Sequence, residues 1–336
     1  MSTRVLICDD SSIARRQLAK ALPADWDIQV DYAANGQEAL DIITSKPIDV
    51  LFLDLNMPVK DGYQTLEALQ HVPQAPHVFV VSGDVQPKAV QRVKDLGASE
   101  FHKKPIRPEV MRQSLLALNL MVSDETAAPH SIPSDFDLDK FSVSDCLQEV
   151  SNVAMGRAAS VLADMLNVFT KLPVPSVHIL EVSELQMALD YTNRGASFSA
   201  VSQGFVGAGV ALEALLIFND ASFSDMAKLL GASGSVENTK EIELLMDVAS
   251  VLVGPYMDAL GKQMDIDFSY GHPALLGQHV KMDSLISAKK AQWKRTLTVE
   301  IVYEVENYDI CCDLLLLFTE DSVPVLEKRL SYLVED

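Results

Sequence analysis

Short apolar runs and amphipathic stretches alternate five times over the first 120 residues. Val5, Leu6 and Ile7 form the centre of a strand over Arg4–Cys8, and Ser11 and Ser12 offer an N-cap for a helix reaching Ala21. Strands over Ile28–Ala33, Val50–Leu53, His77–Val81 and Glu100–His102 follow. Helices over Gly36–Ser45, Tyr63–Gln70, Pro87–Leu96 and Pro108–Val122 separate and close them. Strands and helices in strict alternation predict a doubly wound, five-stranded parallel sheet with helices on both faces. Asp9, Asp10, Asp54, Ser82 and Lys104 all fall at or just beyond carboxyl ends of the strands, where ligands of such sheets sit. Three carboxylates converging there repel one another unless a hard cation shares them, and Mg²⁺ suits such a donor set.

From Ser123 to Asp139 the periodicity disappears into Pro, acidic residues and small polar residues, which predicts a linker. Extended on its random-coil average, a segment of this length spans on the order of 20–25 Å. The chain thus divides into a first domain over 1–122, the linker over 123–139 and a second domain over 140–336.

The second domain opens on a helix with one polar stripe. At 100° per residue, Asp145, Glu149 and Asn152 project at about 0°, 40° and −20°. Leu147, Val150, Ala154, Ala158, Val161 and Met165 lie at about 140–220°, which predicts a buried apolar face opposite a solvent-facing acid and amide. The same spacing recurs at Glu243, Asp247, Ser250 and Pro273, and Leu215–Phe218 recurs as Leu315–Phe318. Each copy reads as a long helix, strands (about 177–190, 198–206 and 210–219, then 267–285, 295–305 and 309–319) and a closing helix. The reading is an α+β domain with an internal duplication.

Composition narrows the function classes. The chain has a net charge of −20, but residues 1–122 hold 13 Lys and Arg against 15 Asp and Glu. Of the totals of 27 and 47, the remainder therefore holds 14 and 32, a net of −18. An output half this acidic repels a phosphate backbone, and no basic recognition helix is evident, so no nucleic acid partner is expected. No continuous apolar run approaches a membrane span, no signal peptide is evident, and the expected location is cytoplasmic. Cys8, Cys146, Cys311 and Cys312 have no metal-like spacing and are expected to be reduced.

The first domain resembles the response regulator receiver, the CheY fold. The resemblance implies that Asp54 is the phosphoacceptor and that Asp9 and Asp10 are the acidic Mg²⁺ pair, with Asn56 lending its backbone carbonyl to the metal. It implies that Ser82 and Lys104 contact the phosphoryl group and that Phe101 is the switch aromatic. Met57-Pro58 and Gly62 complete the loop after the acceptor. The phosphodonor is then a histidine kinase of the CheA type, and the transfer is helped by charge neutralisation at the phosphoryl oxygens.

The stripe of the second domain suits an ordinary amphipathic helix with a wet face. It also fills every fixed position of Asp/Ser-x3-Glu-x2-Asn-x22-Pro, and in this it resembles the CheC/FliY/CheX chemotaxis phosphatases. That resemblance implies a pseudo-twofold fold with the two long helices side by side over the strands. Glu149 is then the docking carboxylate that pairs with a receiver lysine, and Asn152 aligns the attacking water. Asp145 and Pro175 are structural, while Asp247 and Ser250 form a degenerate second site. The implied function is hydrolysis of the aspartyl phosphate of a CheY-like receiver, separate or the chain's own, regulated at Asp54. A homodimer is a further implied state. A second reading is a non-catalytic module that binds phosphorylated receivers or flagellar-switch proteins.

Overall fold

The computed structural model describes residues 2–121, 142–181, 197–229, 238–281 and 295–335. The expected linker over 123–139, and the outer parts of the strands expected over 177–190 and 267–285, lie outside these residues. The chain divides into two compact units, with the division at Asp145, in the first turn of a helix.

The N-terminal unit consists of β1 (Thr3–Cys8), α1 (Ser12–Ala21), β2 (Ile28–Ala33), α2 (Gly36–Ser45), β3 (Val50–Leu53), α3 (Gly62–Leu69), β4 (His77–Ser82), α4 (Pro87–Asp95), β5 (Glu100–Lys103) and α5 (Pro108–Ala117). The strands form one parallel sheet in the order β2-β1-β3-β4-β5. Strand residues alternate between two apolar layers, as a sheet covered on both faces requires. Leu6, Leu51, Leu53 and Val80 pack with Leu66 and Leu69 of α3, whereas Val5, Ile7, Phe52 and Phe79 pack with Leu18 of α1 and Met111 and Leu115 of α5. Local signals set the helix starts. Ser11 Oγ accepts from Ala14 N at 3.1 Å, and Asp61 with Gln64 forms a reciprocal capping box at α3.

The C-terminal unit opens on α6 (Val143–Leu166), then β6 (Thr170–Lys171), β7 (Ser176–Glu181), β8 (Phe198–Gly207), β9 (Val210–Asn219) and α7 (Phe223–Leu229). A second round follows as α8 (Asn238–Met264), β10 (Ser269–Tyr270), β11 (Ala274–Val280), β12 (Arg295–Val305), β13 (Cys311–Phe318) and α9 (Val323–Leu330), before a last turn, α10 (Tyr332–Glu335). The strands make one antiparallel sheet whose centre is β9 against β13. Leu215 faces Leu315 there, so the duplicated apolar motif pairs with its own copy. The outer strands are exchanged: β6 and β7 of the first round pair with β12, while β10 and β11 of the second pair with β8.

Side chains tie the rounds together further. Gln263 of α8 donates to the Val150 carbonyl of α6 at 2.8 Å. His279 on β11 bridges Asp220, after β9, and Glu241 on α8, each at 2.9 Å. Over Glu241–Met264, α8 is long and apolar enough to cross a membrane, but 61% of its most apolar window is buried inside the fold. Interrupting carboxylates kept this stretch from reading as an apolar run.

Candidate functional site

In the N-terminal unit, the ends of β1, β3, β4 and β5 bring the expected groups together. Asp9, Asp54, Asn56, Ser82 and Lys104 are buried and Asp10 is half-buried. Lys104 Nζ lies 2.6 Å from Asp9 Oδ2 and 3.3 Å from Asp54 Oδ1. Asp54 Oδ2 accepts from the Asn56 backbone N–H at 2.9 Å, which fixes the carboxylate's rotation. Ser82 Oγ accepts from Asp84 N at 3.1 Å, at the same end of the sheet. Phe101 is half-buried on β5, packed against the layer that holds Leu53 and Val80.

Oxygens of Asp9, Asp10 and Asp54 lie within 4.8 Å of one another. Three carboxylates outnumber the Lys104 ammonium beside them, an excess of negative charge that a divalent cation offsets, and an all-oxygen donor set is the one Mg²⁺ takes. These residues fit the metal. Arg15 steadies the cluster from behind, donating from Nη1 to the backbone carbonyls of Asp9 at 2.6 Å and Asp10 at 3.2 Å.

Gly62 is required by close approach. A Cβ there would stand 2.3 Å from the Asp54 carbonyl, while the Gly62 N–H donates to Leu55 O at 3.0 Å and closes the loop after Asp54. Two residues beyond β4 lies Asp84, which the sequence reading missed. Burial, reinforced by the charge on Asp54, pushes its carboxyl up to about 6, against hydrogen bonds from Gln86.

The stripe of the C-terminal unit departs from expectation. Asp145, in the first turn of α6, accepts from the N–H and hydroxyl of Ser142 just ahead of the helix, both at 2.8 Å. Pro175 is buried ahead of β7. Glu149 and Asn152, however, are each only 5% exposed instead of facing solvent. Val161 and Met165, assigned to the buried face, are exposed.

Between Asp145 and Arg157 the only charged residue is Glu149, and Cys146, Val153, Met155 and Gly156 flank the stripe with apolar or small groups. Cys146, Ser151, Val153, Met155 and Gly156 are buried along with Glu149 and Asn152. On α8 the equivalent stripe is open: Glu243, Asp247, Ser250 and Gly254 are exposed, and Leu245, Val248, Leu252 and Ala259 are buried as expected. Ser250 Oγ donates to Met246 O at 2.8 Å, so the hydroxyl turns back on its own helix.

Comparison with known proteins identifies the first unit. Residues 5–116 match the family model of the response regulator receiver domain. Among curated proteins, a protein-glutamate methylesterase/protein-glutamine glutaminase of Moorella thermoacetica is 43% identical over 105 residues, 30% of this chain and 24% of that protein. A protein of the same name from Myxococcus xanthus is 36% identical over 118 residues, 35% of this chain and 34% of that protein. The chain thus spans about a quarter to a third of the length of these relatives.

Among solved structures, Thermotoga maritima FliY aligns over 56% of this chain and 96% of its own, at 18% identity and a TM-score of 0.45. Vibrio cholerae CheY4 aligns over 35% of this chain and 99% of its own, at 27% identity and a TM-score of 0.31. With the acidic cluster, Ser82 and Lys104 in place at the ends of a five-stranded parallel sheet, residues 5–116 are a response regulator receiver domain, a module of two-component signalling.

Proposed function

We propose that the chain is a two-component signalling protein in which Asp54 accepts a phosphoryl group and the C-terminal unit hydrolyses aspartyl phosphates on receiver domains. In the transfer, an Asp54 carboxylate oxygen attacks phosphorus, and the phosphorus–nitrogen bond of the phosphohistidine donor breaks with its electron pair returning to the imidazole. Lys104, beside both Asp9 and Asp54, stabilises charge on the phosphoryl oxygens, and Ser82 offers its hydroxyl from the end of β4. Mg²⁺, when held by Asp9, Asp10 and Asp54, supplies further neutralisation of the same charge.

In the hydrolysis, water attacks phosphorus, and the bond to the acceptor oxygen breaks to give carboxylate and inorganic phosphate. A carboxamide orients such a water by accepting one of its protons and donating to its oxygen, which is the role assigned to Asn152. Glu149, one turn earlier on α6, is assigned the receiver's active-site lysine. The observation that supports this reading is the filled spacing Asp145-x3-Glu149-x2-Asn152-x22-Pro175, set on one rigid helix and echoed in α8. Because Glu149 and Asn152 are covered in this structure, turnover of a separate receiver requires the stripe to open, and phosphorylation at Asp54 is the proposed control.

The test is phosphate release from a purified phosphorylated CheY-like receiver, measured with wild type and with Asn152→Ala. Losing one water-positioning group is expected to lower the rate about 10²-fold or more. Equal rates would sink the phosphatase assignment.

One observation favours a second reading. The covered stripe on α6 and the altered pair Asp247 and Ser250 on α8 suit a non-catalytic response regulator whose second unit binds phosphorylated receivers or flagellar-switch proteins. Retention of a phosphorylated receiver with no faster decay of its phosphate would select it.

A further inference from the structure

A cleft of about 720 Å³ opens on the C-terminal unit between the second half of α8 and the adjoining β8–β10 edge. Its size is that of a pocket enclosing a ligand or an anchoring segment. The floor is apolar: Met257 and Ile266 are buried, and Phe205 meets Phe268 edge-on at 6.5 Å and the ring of Tyr270 at 5.9 Å. Tyr270 is nonetheless 72% exposed, so part of an aromatic surface faces solvent.

The rim is acidic. Asp258, Asp265 and Asp267 line it, and the exposed stripe of α8 extends the same charge through Glu243 and Asp247. Lys262 on the rim is already paired with Asp258 at 2.7 Å, and Arg329 approaches Asp265 at 3.6 Å. Among the described residues, no cation is within salt-bridge distance of Asp267, Glu243 or Asp247.

We infer that this cleft docks a cationic amphipathic segment of a partner protein, with its apolar side chains on the aromatic floor and its Lys or Arg groups against the acidic rim. An ammonium or guanidinium over the open face of Tyr270 is attracted by the ring as well as by the carboxylates. The sign of the rim disfavours nucleic acid and anionic lipid surfaces, and the apolar floor disfavours a purely hydrophilic cation. Glu149 and Asn152 do not line the cleft, so the inference does not rest on the roles proposed for them, although Ser250 and Pro273 of the second stripe do line it.

The probe is a fluorescein-labelled amphipathic Lys/Leu peptide titrated into the full-length protein and read by fluorescence anisotropy at low salt. Asp265→Asn with Asp267→Asn, and separately Tyr270→Ala, are expected to weaken binding by roughly tenfold, with circular dichroism checking the fold. Glu67→Gln with Glu109→Gln, exposed acids of the N-terminal unit, is expected to leave it unchanged. A Glu/Leu peptide of the same pattern is expected not to bind the wild type. No binding of the Lys/Leu peptide, an unchanged affinity in the cleft variants, or an equal loss in the Glu67/Glu109 control overturns the assignment.

Discussion

Asp84 carries a cost of burial. It is 2% exposed, and burial with the nearby Asp54 charge holds its carboxyl at about 6, above the usual carboxylate range. The folded state therefore keeps the proton longer than the unfolded chain does. As pH rises from about 4 to about 6, the unfolded state ionises first and stability falls, and the penalty persists above that window. A shift of this size corresponds to on the order of 3 kcal/mol at most. Asp84→Asn is expected to raise the urea midpoint of the N-terminal unit at neutral pH and to leave it nearly unchanged near pH 4. A difference that stays constant across that range would count against the assignment. Asp9, Asp54, Ser82 and Lys104 were legible because each lies at or directly beyond the end of a strand. Asp84 and Arg15 were not, since one sits in a loop and the other on a helix, and only folding carries them to the cluster.

At the scale of the element, α6 and α8 are a natural control for each other. Both are long helices with the same polar spacing, but the acid and amide are covered on α6, whereas the shorter acid and the serine are open on α8. If the Glu–Asn pair is what aligns water, moving it to the open helix should create a site that needs no opening. Asp247→Glu with Ser250→Asn, made together, is expected to raise phosphate release from a phosphorylated receiver severalfold above wild type. The same double change in an Asn152→Ala background separates the two helices, because the grafted activity should survive there. Failure of the graft to raise turnover would show that the pair alone is insufficient on α8. The helices and their spacing were readable from residue order, but their unequal exposure was not. The 100° projection ranks faces of one helix, whereas cover depends on what packs against all of them.

At the scale of the molecule, the exchanged strands make the C-terminal unit indivisible. With β6 and β7 on β12, and β10 and β11 on β8, neither round can complete its sheet edge alone. A fragment over residues 142–237 is expected to lack cooperative thermal unfolding, while the intact C-terminal unit melts in one transition, followed by circular dichroism. A fragment that melts cooperatively by itself would contradict this coupling.

Residue order alone determined the alternation of strands and helices, the acidic strand ends and the duplication, because hydrophobic period and turn chemistry act over a few neighbouring residues. Several boundaries, including Ile28–Ala33, Gly36–Ser45, Val50–Leu53 and Arg295–Val305, were readable to the residue. Tertiary structure decided the exchange of edge strands, the burial of Glu149 and Asn152, the raised carboxyl of Asp84 and the open cleft beside Tyr270. Each of these depends on groups brought together from distant parts of the chain, and burial and electrostatic environment are properties of that assembly rather than of any local pattern.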